Sequence, residues 1–150
     1  MSNYRFIASC DNNDTYTGFI PSWIDHHKKL YPKSDIKIIL VSDEFPYTLN
    51  NYIDDIILFK PLENMHTAYQ AQMIRLVYPV LLSDKKNIIC DIDMYILNPE
   101  ILDQFDKVYV DRFNNGYNSV YINYGCLDYL SCMKERQLPL FFSVYDKKIL

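Results

Sequence analysis

The sequence predicts an α/β fold, a mostly parallel central sheet flanked by helices, and two observations carry that prediction. Short β-branched runs alternate with longer segments of helical spacing, the order expected when each strand is followed by a covering helix. The runs are also mainly apolar, without the one-in-two polar alternation of a half-solvated strand, as strands covered on both faces are.

The first strand is read at "YRFIASC" (4–10), followed by the polar turn "DNNDTY". The segment "TGFIPSWIDHHKKLYP" then places Phe19, Trp23 and Leu30 at helical spacing, giving a strand-turn-helix unit. A second strand falls at 36–41 in "DIKIILVSD", and after a short polar region a third is read in "DIILFK" (55–60), both rich in β-branched residues. "HTAYQAQMIRLVYPVLL" predicts a helix started at His66, with Tyr69, Met73, Leu76 and Val80 on its apolar stripe and Pro79 near its end. A strand follows at 87–91. Beyond Pro99 the pieces shorten to a helical turn "PEILDQF", a strand "KVYVDRF", an extended run "YNSVYINY" and a last helix "CLDYLSCMKERQ". No repeat, low-complexity tract or linker interrupts the chain, so residues 1–150 are read as one domain.

Composition narrows the function classes. With 49% apolar and 23% charged residues over 150 positions the chain can bury a proper core. A net charge of −4 argues against a protein that coats nucleic acid or an anionic membrane. Cys10, Cys90, Cys126 and Cys132 form no CxxC pair, and "MSNYRFIASC" has no apolar stretch of signal-peptide length. The expectation is a cytoplasmic, reducing setting with free thiols and no zinc. No window holds the roughly 18 continuous apolar residues of a membrane span, so membrane association would be peripheral.

The chemistry concentrates in "NIICDIDMYILNP". An apolar strand stops at Asp91 and Asp93, and Met94-Tyr95-Ile96-Leu97 resumes an apolar run at once. An ordinary Asp-x-Asp caps or solvates a turn, but here the acids sit inside an otherwise buried region. Two neighbouring carboxylates repel and lose hydration unless a cation or hydrogen-bond donors compensate. A hard divalent ion, Mn2+ or Mg2+, satisfies an all-oxygen pair and keeps positions open for substrate phosphates. In open α/β sheets ligands collect beyond the carboxyl ends of the strands, so the Asp11 turn and the acid pair are expected on one edge. Phosphatases of the haloacid dehalogenase type carry a related acid pair, but they continue it with small or hydroxyl residues where this chain has Met94 and Tyr95.

The stretch "AQMIRLVYPVLLSDKKNIICDIDMYILNP" resembles nucleotide-sugar-dependent glycosyltransferases of the GT-A (Rossmann-like) fold, most closely the glycogenin and galactosyltransferase-like family 8 with its DxD motif. Arg75-Leu76, Pro79, Asp91, Asp93 and Met94 stand at matching places. "FIASCDNNDTYTGFIPSWIDHHKKLYP" is similar to that family's first strand and nucleotide-binding turn, which implicates Ala8, Ser9, Asp11 and Tyr16 around the nucleoside. In "YNSVYINY" Asn118 and Ser119 match the family's Asn-Ser/Ala-Gly strand, with Val120 in place of Gly. In "VYDKKIL" Asp146 matches an acid near the sugar, with Lys147 in place of Gln. His26, His27 and His66 all precede the acid pair, whereas the family commonly adds a downstream His ligand. The resemblance therefore implies a compact or truncated GT-A domain.

It further implies a metal-dependent transfer of a sugar from a nucleoside diphosphate sugar, a UDP-sugar by family, to a glycan, a protein-linked sugar or another hydroxyl acceptor, with retention of configuration. Asp93 would ligate the metal, and Asp91 would share it and accept a ribose hydroxyl. Ile92, between them, and Asn118 join the donor-binding set. Arg75 would be a fixed cation near the phosphates or sugar, the alternative being a helix Arg paired with an acid. Asp111, Asp128 and Asp146 are the candidates to act near the anomeric carbon. A different class of function is a non-catalytic nucleotide-sugar-binding domain, which would bind donor without releasing diphosphate. A nucleotidyltransferase ranks last, because "SCDNNDTYTG" lacks a Gly-rich loop with a basic residue.

Overall fold

The computed structural model describes residues 4–82 and 85–100, together with the backbone of 119–121 and 142–145. Along the chain run β1 (Tyr4–Asp11), α1 (Asp14–Thr17), α2 (Ile20–Leu30), β2 (Asp35–Val41), β3 (Ile56–Phe59), α3 (Thr67–Val77), β4 (Lys86–Cys90), β5 (Ser119–Tyr121) and β6 (Phe142–Tyr145). They build one sheet in the order β3-β2-β1-β4-β6-β5. β1 to β4 are mutually parallel, with Phe6 beside Ile36 on one side and Ile88 on the other. β6 then joins β4 antiparallel and β5 joins β6 antiparallel. The α/β, mostly parallel, Rossmann-like sheet expected from the sequence is the one observed.

Alternation along each strand sorts side chains to two faces. Phe6, Ala8 and Cys10 of β1, Ile36, Ile38 and Leu40 of β2, and Ile88 and Cys90 of β4 meet Ile20, Trp23 and Ile24 of α2 in the main core. Their in-between neighbours face α3: Ser9 donates to the Ala71 carbonyl (2.5 Å), and Asp11 accepts from the Thr67 hydroxyl (2.8 Å).

Local signals set the helix bounds. Pro21 occupies the first turn of α2, where a missing N–H leaves no bond unmade. Nδ1 of His66 accepts from the Ala68 N–H and caps α3, as the sequence suggests. At the other end Pro79 cannot donate to the helical ladder, and the chain tightens into a 3₁₀ turn over Tyr78–Val80. The polar region between β2 and β3 holds a further 3₁₀ stretch, Tyr47–Asp55, that the sequence pattern does not announce.

One expectation needs correcting. The inner face of α3 carries Gln70, Ala71 and Arg75, while Tyr69 and Met73 of the anticipated apolar stripe are exposed. The helix approaches the polar end of β1, where small side chains permit close packing and Ser9 and Asp11 require polar partners. The strand expected in 107–113 and the helix expected in 126–137 lie outside the described residues. β6 is an additional strand, and among the described residues no helix is long and apolar enough to cross a membrane.

Candidate functional site

Between β1 and β4 the strand order reverses. The β1–β2 connection runs over the α2 face of the sheet and the β3–β4 connection over the α3 face. The two covering layers diverge there, which opens a crevice at the carboxyl ends of the strands. A cleft of about 330 Å³ occupies it. Ser9, Cys10 and Asp11 from β1 form one wall and Asp91, Ile92, Asp93 and Met94 after β4 form the other. α3 contributes Ala68, Ala71, Gln72 and Arg75, and α1 contributes Tyr16, which is 42% exposed.

The acids stand where they do because β4 ends in a tight turn. The Met94 N–H donates to the Asp91 carbonyl (3.2 Å), placing Ile92 and Asp93 at the corners. Ile92 turns into the core and is buried, whereas Asp93 is exposed to the cleft. The two carboxylates have unlike surroundings. Asp91 forms an ion pair with the Arg75 guanidinium, which also donates to the Cys90 carbonyl (3.3 Å). Arg75 is only 7% exposed, and its Nε has no partner among the described residues. Asp93 makes no hydrogen bond or ion pair among the described residues. The repulsion that two neighbouring acids would suffer is thus relieved by one buried cation on the first of them.

Two thiols border this charge and are held protonated. Burial, aided by the charge of Asp11, pushes the Cys10 thiol up to about 12. Burial also raises Cys90, Asp91 adds to the rise, and Arg75 partly offsets it. Neither is a nucleophile at neutral pH. The side chain of Ser9 is committed to the Ala71 carbonyl and that of Asp11 accepts from Thr67, so each reaches the cleft already oriented.

Of the residues singled out by sequence, Ser9, Asp11, Tyr16, Arg75, Asp91, Ile92 and Asp93 line one cleft. Ala8 does not: its side chain is buried in the core on the α2 face. Asp111, Asn118, Asp128 and Asp146 lie outside the described residues. β6 reaches Tyr145 opposite Asn87, at the end of β4 remote from the acids. Cys10, Ala68, Ala71, Gln72 and Met94 also line the cleft without having been singled out as site residues. The spacing 68, 71, 72, 75 was the available signal, a helical face of two alanines, an amide and a cation instead of an apolar stripe.

Among the described residues no three His, Cys, Asp or Glu side chains cluster closely enough to cage a metal. Asp91 and Asp93 supply a smaller set of hard oxygen donors. That suits an ion such as Mg2+, which keeps waters and is typically held by one or two carboxylates plus substrate phosphates. No family model matches the chain, and no curated protein matches it significantly.

Proposed function

We propose that this chain is a metal-dependent glycosyltransferase that takes a sugar from a nucleoside diphosphate sugar, with uridine as the nucleoside, and delivers it to a hydroxyl of a glycan or protein-linked sugar. One observation carries the reading: an exposed Asp93, without a partner among the described residues, beside a charge-neutralised Asp91 at the crevice where the strand order reverses. Asp93, with the free lone pairs of Asp91, would hold Mn2+ or Mg2+. The ion would supply Lewis-acid neutralisation of the two phosphates as the bond from the anomeric carbon to the leaving oxygen breaks.

The chain's own residues do the positioning. Arg75 keeps the Asp91 carboxylate in one orientation and supplies a positive charge behind the cleft wall. Asp11, fixed by Thr67, and the ring of Tyr16 border the end of the cleft formed by β1, where a ribose and base would lie. The electron pair of the breaking bond leaves with the diphosphate, and the acceptor oxygen bonds to the anomeric carbon as its proton passes to an oxygen of the departing diphosphate. The free thiols of Cys10 and Cys90 support a cytoplasmic setting.

Calorimetric titration of UDP and GDP, each with and without Mn2+, tests the reading against wild type and Asp93→Ala. Micromolar UDP binding is expected only with both the metal and Asp93, with weaker but still measurable binding of UDP in the metal's absence, followed by slow release of UDP from a UDP-sugar. Donor binding without any release would leave a binding domain, and no nucleotide binding at all would overturn the proposal.

A further inference from the structure

Beyond Asp93 the chain runs as a segment, 94–98, that belongs to none of the strands and pairs with none of them among the described residues. Its backbone acceptors are nevertheless satisfied in a regular pattern. The indole N–H of Trp23 donates to the Met94 carbonyl (2.9 Å), Nε2 of His26 bonds the Ile96 carbonyl (2.7 Å), and the Tyr31 hydroxyl donates to the Asn98 carbonyl (3.2 Å). Ser22 and the intervening Tyr95 join hydroxyl to hydroxyl (2.7 Å), and the Tyr95 ring sits edge-on to His26 at 5.3 Å.

The match is metric. Carbonyls 94, 96 and 98 of an extended chain recur at period two and span about 13 Å. Residues 23 to 30 of α2 rise about 10.5 Å, and Tyr31, the residue that caps the helix, extends that course to the third carbonyl. α2 and its C-cap Tyr31 thus offer side-chain partners where a sheet would offer a neighbouring strand.

We propose that this ladder makes Trp23, His26 and Tyr31 positioning residues for Asp93: α2 fixes the chain direction leaving the acid and thereby the place of its carboxylate. The ladder itself stands on the hydrogen bonds alone, and its consequence for metal affinity rests on the function proposed above.

Trp23 is the sole tryptophan, so its indole N–H gives a single NMR signal whose solvent exchange reports the first rung directly. The test compares wild type, the double variant His26→Leu/Tyr31→Phe, and His26→Gln, whose amide can still donate to the Ile96 carbonyl. Loss of the second and third rungs is expected to speed indole exchange about tenfold, with His26→Gln close to wild type. Mg2+ affinity in the presence of UDP is expected to fall about tenfold in the double variant, while metal-free UDP affinity stays unchanged. Metal-free affinity is the readout that general loosening of the fold would also move. Unaltered indole exchange in the double variant overturns the ladder, and faster exchange with unaltered Mg2+ affinity overturns its role at Asp93. If wild type binds no UDP with metal, the function reading fails, and the exchange rates alone decide the ladder.

Discussion

Asp91 and Asp93 are the same side chain two positions apart, and their surroundings assign them opposite costs of removal. Asp91 compensates Arg75, a guanidinium with little access to water. Asp91→Asn leaves that cation buried and unpaired, an error of about 3–5 kcal/mol for a fully buried pair. The expected loss is about 2 kcal/mol, because the Asp91 side chain is itself 24% exposed and water screens part of the interaction. Asp93→Asn removes no contact to the described residues and should change stability by no more than about 0.5 kcal/mol, while abolishing metal-dependent nucleotide binding. Urea unfolding of both variants separates the roles. Equal destabilisation by the two would show that the asymmetry drawn here between the carboxylates is mistaken.

At the scale of the element, α3 makes the sharpest distinction between its two faces. Ala71 is buried against Ser9, whose hydroxyl bonds the Ala71 carbonyl. Ala71→Leu inserts three carbons between helix and strand and is expected to cost about 1–3 kcal/mol and narrow the cleft. Met73→Lys, on the exposed face, should stay within about 0.5 kcal/mol. Thermal unfolding of the pair checks this, and a large loss from Met73→Lys would contradict the observed orientation of the helix. The strands were legible because β1, β2, β3 and β4 each hold a short apolar stretch, rich in isoleucine in β2, β3 and β4, and the parallel sheet followed from the missing regular alternation. The acid pair was legible because it interrupts such a run. The facing of α3 was not, since an apolar residue count assumes that the buried side of a helix is apolar, and this one covers a polar strand end with Gln70, Ala71 and Arg75. The 3₁₀ stretch at Tyr47–Asp55 escaped for a related reason: it buries only Leu49 and Asp55 and so leaves no periodic trace.

Across the whole molecule the polar groups separate along the strand axis. The cleft with its exposed acid occupies the carboxyl edge, and a network centred on Asp35 ties strands together at the other edge. There Arg5 of β1 bonds Asp35 of β2 (2.8 Å) and Asn87 of β4 (3.4 Å), and Lys85 approaches Asp35 at 3.4 Å. Between the edges lies His27, fully buried among the rings of Trp23, Phe6, Tyr31 and His26. Burial pushes its imidazole down to about 4, against the opposing pull of its bond to the Trp23 carbonyl and with a smaller push from His26. The unfolded chain takes up this proton near pH 6.5 and the folded one only near pH 4, so stability falls with acidification across that window and is whole above it. The loss attributable to His27 is about 3 kcal/mol at most. Asp35 acts lower on the scale. Burial alone would raise its pKa, but the Arg5 hydrogen bond and charge, with Lys85 and Lys37, outweigh it and hold the carboxyl below its ordinary 3.8. Its contribution is therefore present above 3.8 and disappears as pH drops through the folded value. Acid unfolding should proceed in two successive losses, and His27→Leu should flatten the first while leaving the second. Urea melts at half-unit steps from about pH 7 to about pH 2 measure both slopes directly. A slope equal to wild type in His27→Leu would place the acid sensitivity elsewhere than in this buried ring.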